Sequence, residues 1–234
     1  MAHPQMERET RWSETHRREI EKAEKGIAGA SGFEGVAALG GIVLSILALA
    51  NVAAVSLTAI AAIVLGAGFL FEGGGISAGY SRLLDGRGET NLVVGGGSTA
   101  QAFGGLAAIA LGILSLVGVA PGVLLPVSAL VLGGTLMASA GTLYDLQSLL
   151  ANIEPTDEGP RQVAKQALRG SAGMQILAGV AAATLGILVL TGATVAALGM
   201  ILVPVAILTV AVAMGLESGV VTGRIGRVLF RKPA

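Results

Sequence analysis

The sequence contains no cysteine. This absence excludes disulfide bonds, thiolate catalysis, cysteine-ligated zinc and iron–sulfur clusters. Charged residues make up only 13% of the 234 residues, whereas a soluble domain usually carries about 25%. Aromatic residues make up 3%, and no basic stripe with interleaved aromatic side chains occurs, so we expect no nucleic-acid partner.

Small and aliphatic residues take the place of the missing charges. Hydrophobic residues account for 53% of the chain, and the thirty-six glycines are about twice the average usage. Helices in lipid associate by close backbone approach, because the surrounding lipid is as apolar as their own side chains. A composition rich in glycine and alanine therefore predicts an all-α membrane protein whose main partner is the lipid bilayer.

Three long apolar stretches predict six membrane-spanning helices. Residues 33–79 hold two charges, residues 97–144 hold none and residues 170–223 hold one. About 20 apolar residues cross the hydrocarbon core, so each stretch is long enough for two crossings. Turns are expected near Asn51, at 118–122 and at 191–199, and charged loops at 80–91 and 145–169.

The three hairpins repeat one another. Their first helices share the pattern of LGGIVLSILAL (39–49), LGILSLVGV (111–119) and LGILVLTGA (185–193). Their second helices share that of LGAGFLFEGG (65–74), LGGTLMASAG (132–141) and VAVAMGLESG (210–219). Because each repeat crosses twice, the repeats point the same way, which predicts a pseudo-threefold arrangement. The predicted segments are a charged helix at 1–28, hairpin repeats at 29–91, 92–169 and 170–223, and a basic tail at 224–234.

Every lysine and arginine lies in the leader, the two charged loops or the tail, which all fall on one side of a six-helix chain. The positive-inside rule places that side, with both termini, in the cytoplasm, and predicts the cell membrane of a prokaryote. The leader carries Glu7–Arg11, Glu14–Arg18 and Glu21–Lys25 at helical spacing. It is either a solvated helix or a contact for a cytoplasmic partner.

Acidic residues within the apolar stretches are the features that need explaining, since a charge at the membrane centre costs about 2.5–3.5 kcal/mol. The repeats place six polar residues at corresponding positions near the inner boundary. They are Glu34, Gln101 and Gln175 early in the odd helices, and Glu72, Ser139 and Glu217 late in the even ones. This polar layer is either a proton- or cation-sensing ring that lines a shallow cytoplasmic vestibule or an interfacial feature whose carboxylates reach toward the headgroups.

Glycines recur at intervals that keep them on one helix face. Such stripes allow close packing, either between the helices of a hairpin or between subunits. A homo-oligomer, or a complex with another membrane protein, is therefore expected. The packing glycines are Gly75, Gly79, Gly105, Gly112, Gly134, Gly141, Gly179, Gly186, Gly215, Gly219 and Gly223.

Catalytic and cofactor signatures are absent. The glycine-rich runs at 73–79 and 95–98 lack a Walker lysine and a preceding strand. His3 and His16 stand thirteen positions apart without organised partners, so no metal site is expected. Serine and threonine have no nearby base, so no hydrolytic triad can be assembled. We expect no cofactor and no enzymatic activity.

Segments 104–146 and 178–220 resemble the short repeats of HdeD-like membrane proteins, a family associated with acid resistance in bacteria. The likeness lies in LGIL, a turn, and an apolar helix that ends in small residues plus a polar one. The resemblance implies a stress-related role and no defined active site. The leader is longer than in that family, and the loop at 145–169 is extended.

Two functions compete at this stage. The first is a non-enzymatic stress-related or assembly protein that oligomerises through glycine-rich helix faces. The second is a small proton or cation channel or transporter that uses the Glu/Gln layer. A conducting path needs polar residues throughout its depth. The outer two-thirds of each helix is apolar, so the sequence favours the first function.

Overall fold

The fold is all-α over the residues that the structure describes. The computed structural model describes residues 32–84, 92–151, 159–192 and 196–229, with side chains in 32–73, 99–140, 172–192 and 198–218. The predicted leader helix at 1–28 lies outside them. The helices are α1 (Gly32–Leu49), α2 (Ala54–Leu84), α3 (Leu92–Leu116), α4 (Pro121–Ala151), α5 (Gly159–Leu190) and α6 (Ala196–Leu229).

All six helices are long and apolar enough to span a membrane. Their apolar windows run for 18 to 21 residues, which matches the thickness of the hydrocarbon core. The prediction of six membrane-spanning helices is confirmed at this level. The chain has the build of a multi-pass membrane protein.

The three odd helices end in the same kind of cap. Asn51, Gly118 and Gly192 each follow the end of a helix with positive φ, at 61°, 90° and 65°. The amide of Gly118 donates to the Ser115 carbonyl and the next amide reaches back to Leu114, which is the Schellman pattern. Residues that tolerate the left-handed region therefore set the predicted turns at 51 and 118.

The helices extend further than the charge pattern predicted. The charged loop expected at 80–91 is helical up to Leu84 and again from Leu92. Most of the loop expected at 145–169 is also helical, since α4 runs to Ala151 and α5 starts at Gly159. Charged residues are excluded from lipid but not from helices, so the charge pattern does not predict where a helix ends.

The even helices lie inside and the odd helices outside. Helices α2, α4 and α6 contact one another, α3 lies against α2 and α4, and α5 lies against α4 and α6. Helix α1 closes the ring, because Gly41 lies against Leu65 of α2 and Ala211 of α6. The membrane windows of the even helices are 44%, 56% and 44% buried, against 33%, 28% and 28% for the odd ones.

Glycine permits the closest helix crossings. A Cβ on Gly66 would lie 2.6 Å from the Gly105 carbonyl oxygen, and a Cβ on Gly133 would lie 2.6 Å from that of Gly179. These contacts join α2 to α3 and α4 to α5. The glycines thus bring consecutive hairpins together, rather than the two helices of one hairpin.

The interior of the bundle is apolar along its axis. Side chains of the three inner helices form two successive sets that are no more than 1% exposed. The first set is Leu65, Leu132 and Val210, and the second is Phe69, Leu136 and Met214. Large aliphatic side chains on the outer surface are exposed instead, as lipid-facing positions require.

Candidate functional site

Three carboxylates from three different helices meet near one end of the bundle. One oxygen each of Glu34 on α1, Glu72 on α2 and Glu217 on α6 lie within 4.8 Å of one another. We call these three residues the carboxylate cluster. They are the only charged side chains among those that the structure describes, so no basic residue in that part of the chain neutralises them.

The helix directions bring the cluster together. Glu34 lies in the first turn of the described part of α1, whereas Glu72 and Glu217 lie at the far ends of the apolar windows of α2 and α6. Helix α1 runs opposite to the other two, so its start meets their ends. A Cβ on Gly35 would lie 3.1 Å from the Ser218 hydroxyl oxygen, which shows how closely α1 approaches α6 here.

Two buried glutamines hold the cluster from the neighbouring helices. The side-chain amide of Gln101 on α3 donates to the Glu72 carboxylate at 3.1 Å. That of Gln175 on α5 donates to the Glu217 carboxylate. Gln101 is 5% exposed and Gln175 is 1% exposed, so both hydrogen bonds are sheltered from solvent and lipid. The cluster and its two glutamines thus bring together residues from five helices, α1, α2, α3, α5 and α6.

Two buried oxygen atoms at the site have no hydrogen-bond partner. They are Oε1 of Glu34 and Oε1 of Gln175. An unsatisfied polar group in the interior costs about 1–3 kcal/mol, and in native structures strain, a catalytic role or an ion or water accounts for such an atom. The site therefore has capacity to accept a positively charged or hydrogen-bond-donating ligand.

The electrostatics of the cluster lead to the same conclusion. Two unit charges 4.8 Å apart repel by about 3–4 kcal/mol at an effective dielectric constant of about 20. Three carboxylates form three such pairs. Protons or a bound cation must supply compensating positive charge. The chemistry that such an arrangement can carry out is therefore the binding of protons or cations.

Five of the six residues of the predicted polar layer come together at this end of the bundle. Glu34, Glu72 and Glu217 form the cluster, and Gln101 and Gln175 bond to it. Ser139 is buried on α4, where its hydroxyl donates to the Leu136 carbonyl at 2.9 Å. Serine carries no carboxylate, so the charged groups of the site lie on α1, α2 and α6 and not on α4.

The predicted packing glycines have different surroundings. Gly105, Gly112, Gly179 and Gly186 all lie against backbone atoms of the preceding hairpin. Gly215 faces Ala38 and Ile42 at ordinary contact distance, and Gly134 has open space beside it. The remaining positions lie where no side-chain surroundings are described, and they are Gly75, Gly79, Gly141, Gly219 and Gly223.

A cavity at the opposite end of the bundle was not anticipated from the sequence. Its volume is about 410 Å³, and it lies between the first turns of the three inner helices. Its lining is mainly apolar and includes Thr58, Leu125 and Val203. The fourteen residues from Thr58 to Glu72 correspond to a rise of about 21 Å. The lining residues of α2, α4 and α6 occupy equivalent positions in the three hairpins. This repetition in the sequence could have indicated the cavity.

No protein-family model, curated protein or solved structure matches this chain. The assignment of a function therefore rests on the chemistry of the carboxylate cluster and its position in the bundle.

Proposed function

We propose that this chain is a multi-pass membrane protein without enzymatic activity that binds and releases protons or cations at the carboxylate cluster, as a small transporter or gated channel. The convergence of Glu34, Glu72 and Glu217 within 4.8 Å carries this proposal. Ionisable residues within membrane segments are costly, and they mark ion or proton pathways when they face the interior of a bundle. The cluster thus favours the second of the two functions considered from the sequence.

The route across the bundle is closed in this conformation. The cluster and the opposite cavity are separated by the two apolar sets, which include the fully buried Leu65 and Leu132. Water and ions do not cross an apolar constriction of this kind unless it widens. Transport would need the inner helices to move apart, so the proposal is a gated or alternating pathway rather than an open pore.

A pseudo-threefold arrangement of the hairpins is part of the proposal. It is supported by the caps at Asn51, Gly118 and Gly192, which fall at equivalent positions. It is also supported by three crossings between neighbouring hairpins at which a glycine faces an alanine. The glycine lies on the even helix in two of these crossings and on α1 in the third. In these, a Cβ built on the glycine lies 3.1 to 3.2 Å from the alanine Cβ, and the pairs are Gly66–Ala108, Gly133–Ala182 and Gly41–Ala211. When the hairpins are aligned on these crossings, Ser45 on α1 corresponds to Gly112 on α3. The LGG motif of α1 would instead align one of its own glycines with Gly112.

The orientation remains a proposal that follows from the charge distribution. The cluster would face the cytoplasm of a prokaryotic cell, with the leader and tail on the same side. The absence of native cysteine allows a direct test with Ala234→Cys. A membrane-impermeant maleimide should label this cysteine in inverted membrane vesicles but not in intact cells, and the opposite pattern would reverse the orientation.

An assembly or stress-related role is the second candidate, and one observation favours it. Gly134 and Ala138 on α4 are exposed, four residues apart, and nothing lies within 4 Å of a Cβ on Gly134. This small-xxx-small face is suited to a second copy or to another membrane protein. Gly134→Leu should convert an oligomer to a monomer in mild detergent if this face is used. The HdeD-like resemblance belongs to this candidate.

Ion flux in reconstituted vesicles tests the main proposal. Purified protein is placed in liposomes that contain a pH-sensitive dye, and a membrane potential is imposed with potassium and valinomycin. Proton flux above that of empty liposomes is expected, and Glu72→Gln combined with Glu217→Gln should abolish it. If protons do not move, liposomes loaded instead with a sodium-sensitive or a calcium-sensitive dye are tested with the corresponding ion.

Glu154→Gln is the matched control, because it makes the same chemical change in a connecting segment outside the described residues. It should leave the flux unchanged. Absence of flux for every ion tested, or equal flux in the double variant and the wild type, would refute the transport proposal.

A further inference from the structure

The size of the carboxylate cluster suits one class of cation. Three oxygens that lie within 4.8 Å of one another enclose a point no more than about 2.8 Å from each, which is 4.8 Å divided by the square root of three. Calcium binds oxygen ligands at about 2.3–2.6 Å, and magnesium requires about 2.0–2.1 Å. Small side-chain movements would therefore give calcium-type distances, whereas magnesium would require a larger contraction.

Gln175 is a second and independent indication of a ligand. Its side chain is 1% exposed, its Nε2 contacts Glu217 and its Oε1 has no partner. A half-turn of the amide exchanges the oxygen and the nitrogen, which would direct Oε1 toward the cluster. Amide carbonyl oxygens are regular ligands of calcium. This residue can therefore supply a neutral fourth ligand from α5, a helix that carries none of the three carboxylates.

Glu34 points to the same conclusion from the opposite side. Its side chain is 3% exposed and its Oε1 is buried without a partner. One shared proton forms a bond between two oxygens, so it leaves other acceptors at the site unsatisfied. A cation at the centre would contact one oxygen of each carboxylate at once, and it would also contact Gln175 Oε1 once that amide has turned.

Charge decides between monovalent and divalent ions. Three ionised carboxylates carry three negative charges, and no basic side chain is present in the part of the chain whose side chains are described. A divalent ion leaves one negative charge uncompensated, whereas a monovalent ion leaves two. All the available donors are oxygens, a set that suits calcium, magnesium and manganese and not the softer metals that bind nitrogen and sulfur.

We propose that Glu34, Glu72, Glu217 and Gln175 form a binding site for a divalent cation of calcium size. This inference rests on the proposed function, of which it specifies the ligand. Glu72 would bind through the oxygen that Gln101 leaves available, with Gln101 as a positioning residue. Glu217 would bind through a carboxylate oxygen once the Gln175 amide has turned. The site would join α1, α2, α5 and α6, so occupancy would also brace the ring where its first and last helices meet.

Calcium titration of the purified protein tests the site. The full chain is placed in nanodiscs of zwitterionic phosphatidylcholine, which avoids calcium binding by anionic lipids, and heat is measured on addition of calcium chloride. One calcium ion per chain should bind, with magnesium at least about tenfold weaker. Manganese, followed by its electron paramagnetic resonance signal, should compete with calcium. No saturable binding above that of empty nanodiscs would overturn the proposal, as would tighter binding of magnesium.

Paired variants test the individual ligands. Glu72→Gln and Glu217→Gln should each weaken calcium binding by about 100-fold, since even the loss of an outer contact to a metal ligand costs about 10–100-fold. Gln175→Met should weaken it by about tenfold. Gln162→Met makes the same change on α5, thirteen residues before Gln175, and is the matched control, with a loss of less than about threefold. Equal effects of the two glutamine variants would remove Gln175 from the ligand set.

Thermal unfolding supplies a check that does not depend on heat signals. Calcium should raise the melting temperature of the wild-type protein, and it should not raise that of Glu217→Gln. Glu34→Gln serves in the same way if Glu217→Gln does not unfold cooperatively. A calcium-induced rise of equal size in the wild type and in these variants would refute the site.

The outcomes separate this inference from the proposed function. If calcium does not bind while Glu72→Gln plus Glu217→Gln abolishes proton flux, the transport proposal stands and the calcium site is refuted. If calcium binds at the named residues and no ion moves, the site stands and the transport proposal is refuted.

Discussion

The crossing of α4 and α5 offers a sharp test of the fold, because two adjacent glycines have opposite surroundings. A Cβ on Gly133 would lie 2.6 Å from the Gly179 carbonyl oxygen, whereas nothing lies within 4 Å of a Cβ on Gly134. Ordinary contact begins at 3.4 Å, so Gly133→Ala requires the helices to separate locally by about 0.8 Å. The obstacle is backbone, which cannot rotate aside as a flexible side chain can.

The two substitutions should therefore change the free energy of unfolding in opposite directions. Overpacking of this kind costs about 1–3 kcal/mol, so Gly133→Ala should lower the free energy of unfolding by that amount. Gly134→Ala meets no obstacle and improves helix propensity, which is worth up to about 1 kcal/mol. We expect a difference of about 1–4 kcal/mol between two changes that add the same methyl group.

Unfolding by dodecyl sulfate in mixed micelles, followed by far-ultraviolet circular dichroism, measures this difference. The midpoint should fall for Gly133→Ala and stay level or rise for Gly134→Ala. Size-exclusion chromatography shows whether each variant keeps the same assembly before unfolding, so that a change in association is not mistaken for a change in stability. Equal midpoints for the two variants would refute the close α4–α5 crossing.

Two further predictions concern the core and the turns. Leu132→Ala should destabilise the protein by about 2–5 kcal/mol in the same assay, because Leu132 is fully buried on the bundle axis. Leu114→Ala is its control and should change the midpoint little, because the Leu114 side chain is 44% exposed. Equal losses of stability in the two variants would contradict the assigned interior. Ala120→Gly should stabilise the protein by about 1 kcal/mol, because Ala120 has φ of +38°. The same change at Ala110, an exposed residue within α3, is the control and should destabilise the protein by about 0.5–1 kcal/mol. A lower stability of Ala120→Gly than of the wild type would contradict the strained turn.

The six crossings and the positions of their turns could be predicted from the sequence. Transfer of a helix into lipid depends on the composition and length of that helix alone, so an uninterrupted apolar run is sufficient evidence. The polar residues of the layer were found for a related reason, since Glu34, Glu72 and Glu217 interrupt apolar runs where a charge is costly. The ends of the helices could not be predicted as well, because a helix can continue into a charged segment, as α4 does up to Ala151.

The sequence by itself determined which residues are costly in a membrane, and only the tertiary structure decided which of them meet. Glu34 and Glu217 belong to the first and last helices, and nothing local to either indicates that α1 packs against α6. Their meeting depends on closure of the helix ring, which is set by many distant contacts such as that of Gly41 with Ala211. The partner of each glycine and the unsatisfied oxygen of Gln175 depend on the same closure. Burial in lipid is a property of a segment, whereas a binding site is a property of the relative positions of segments.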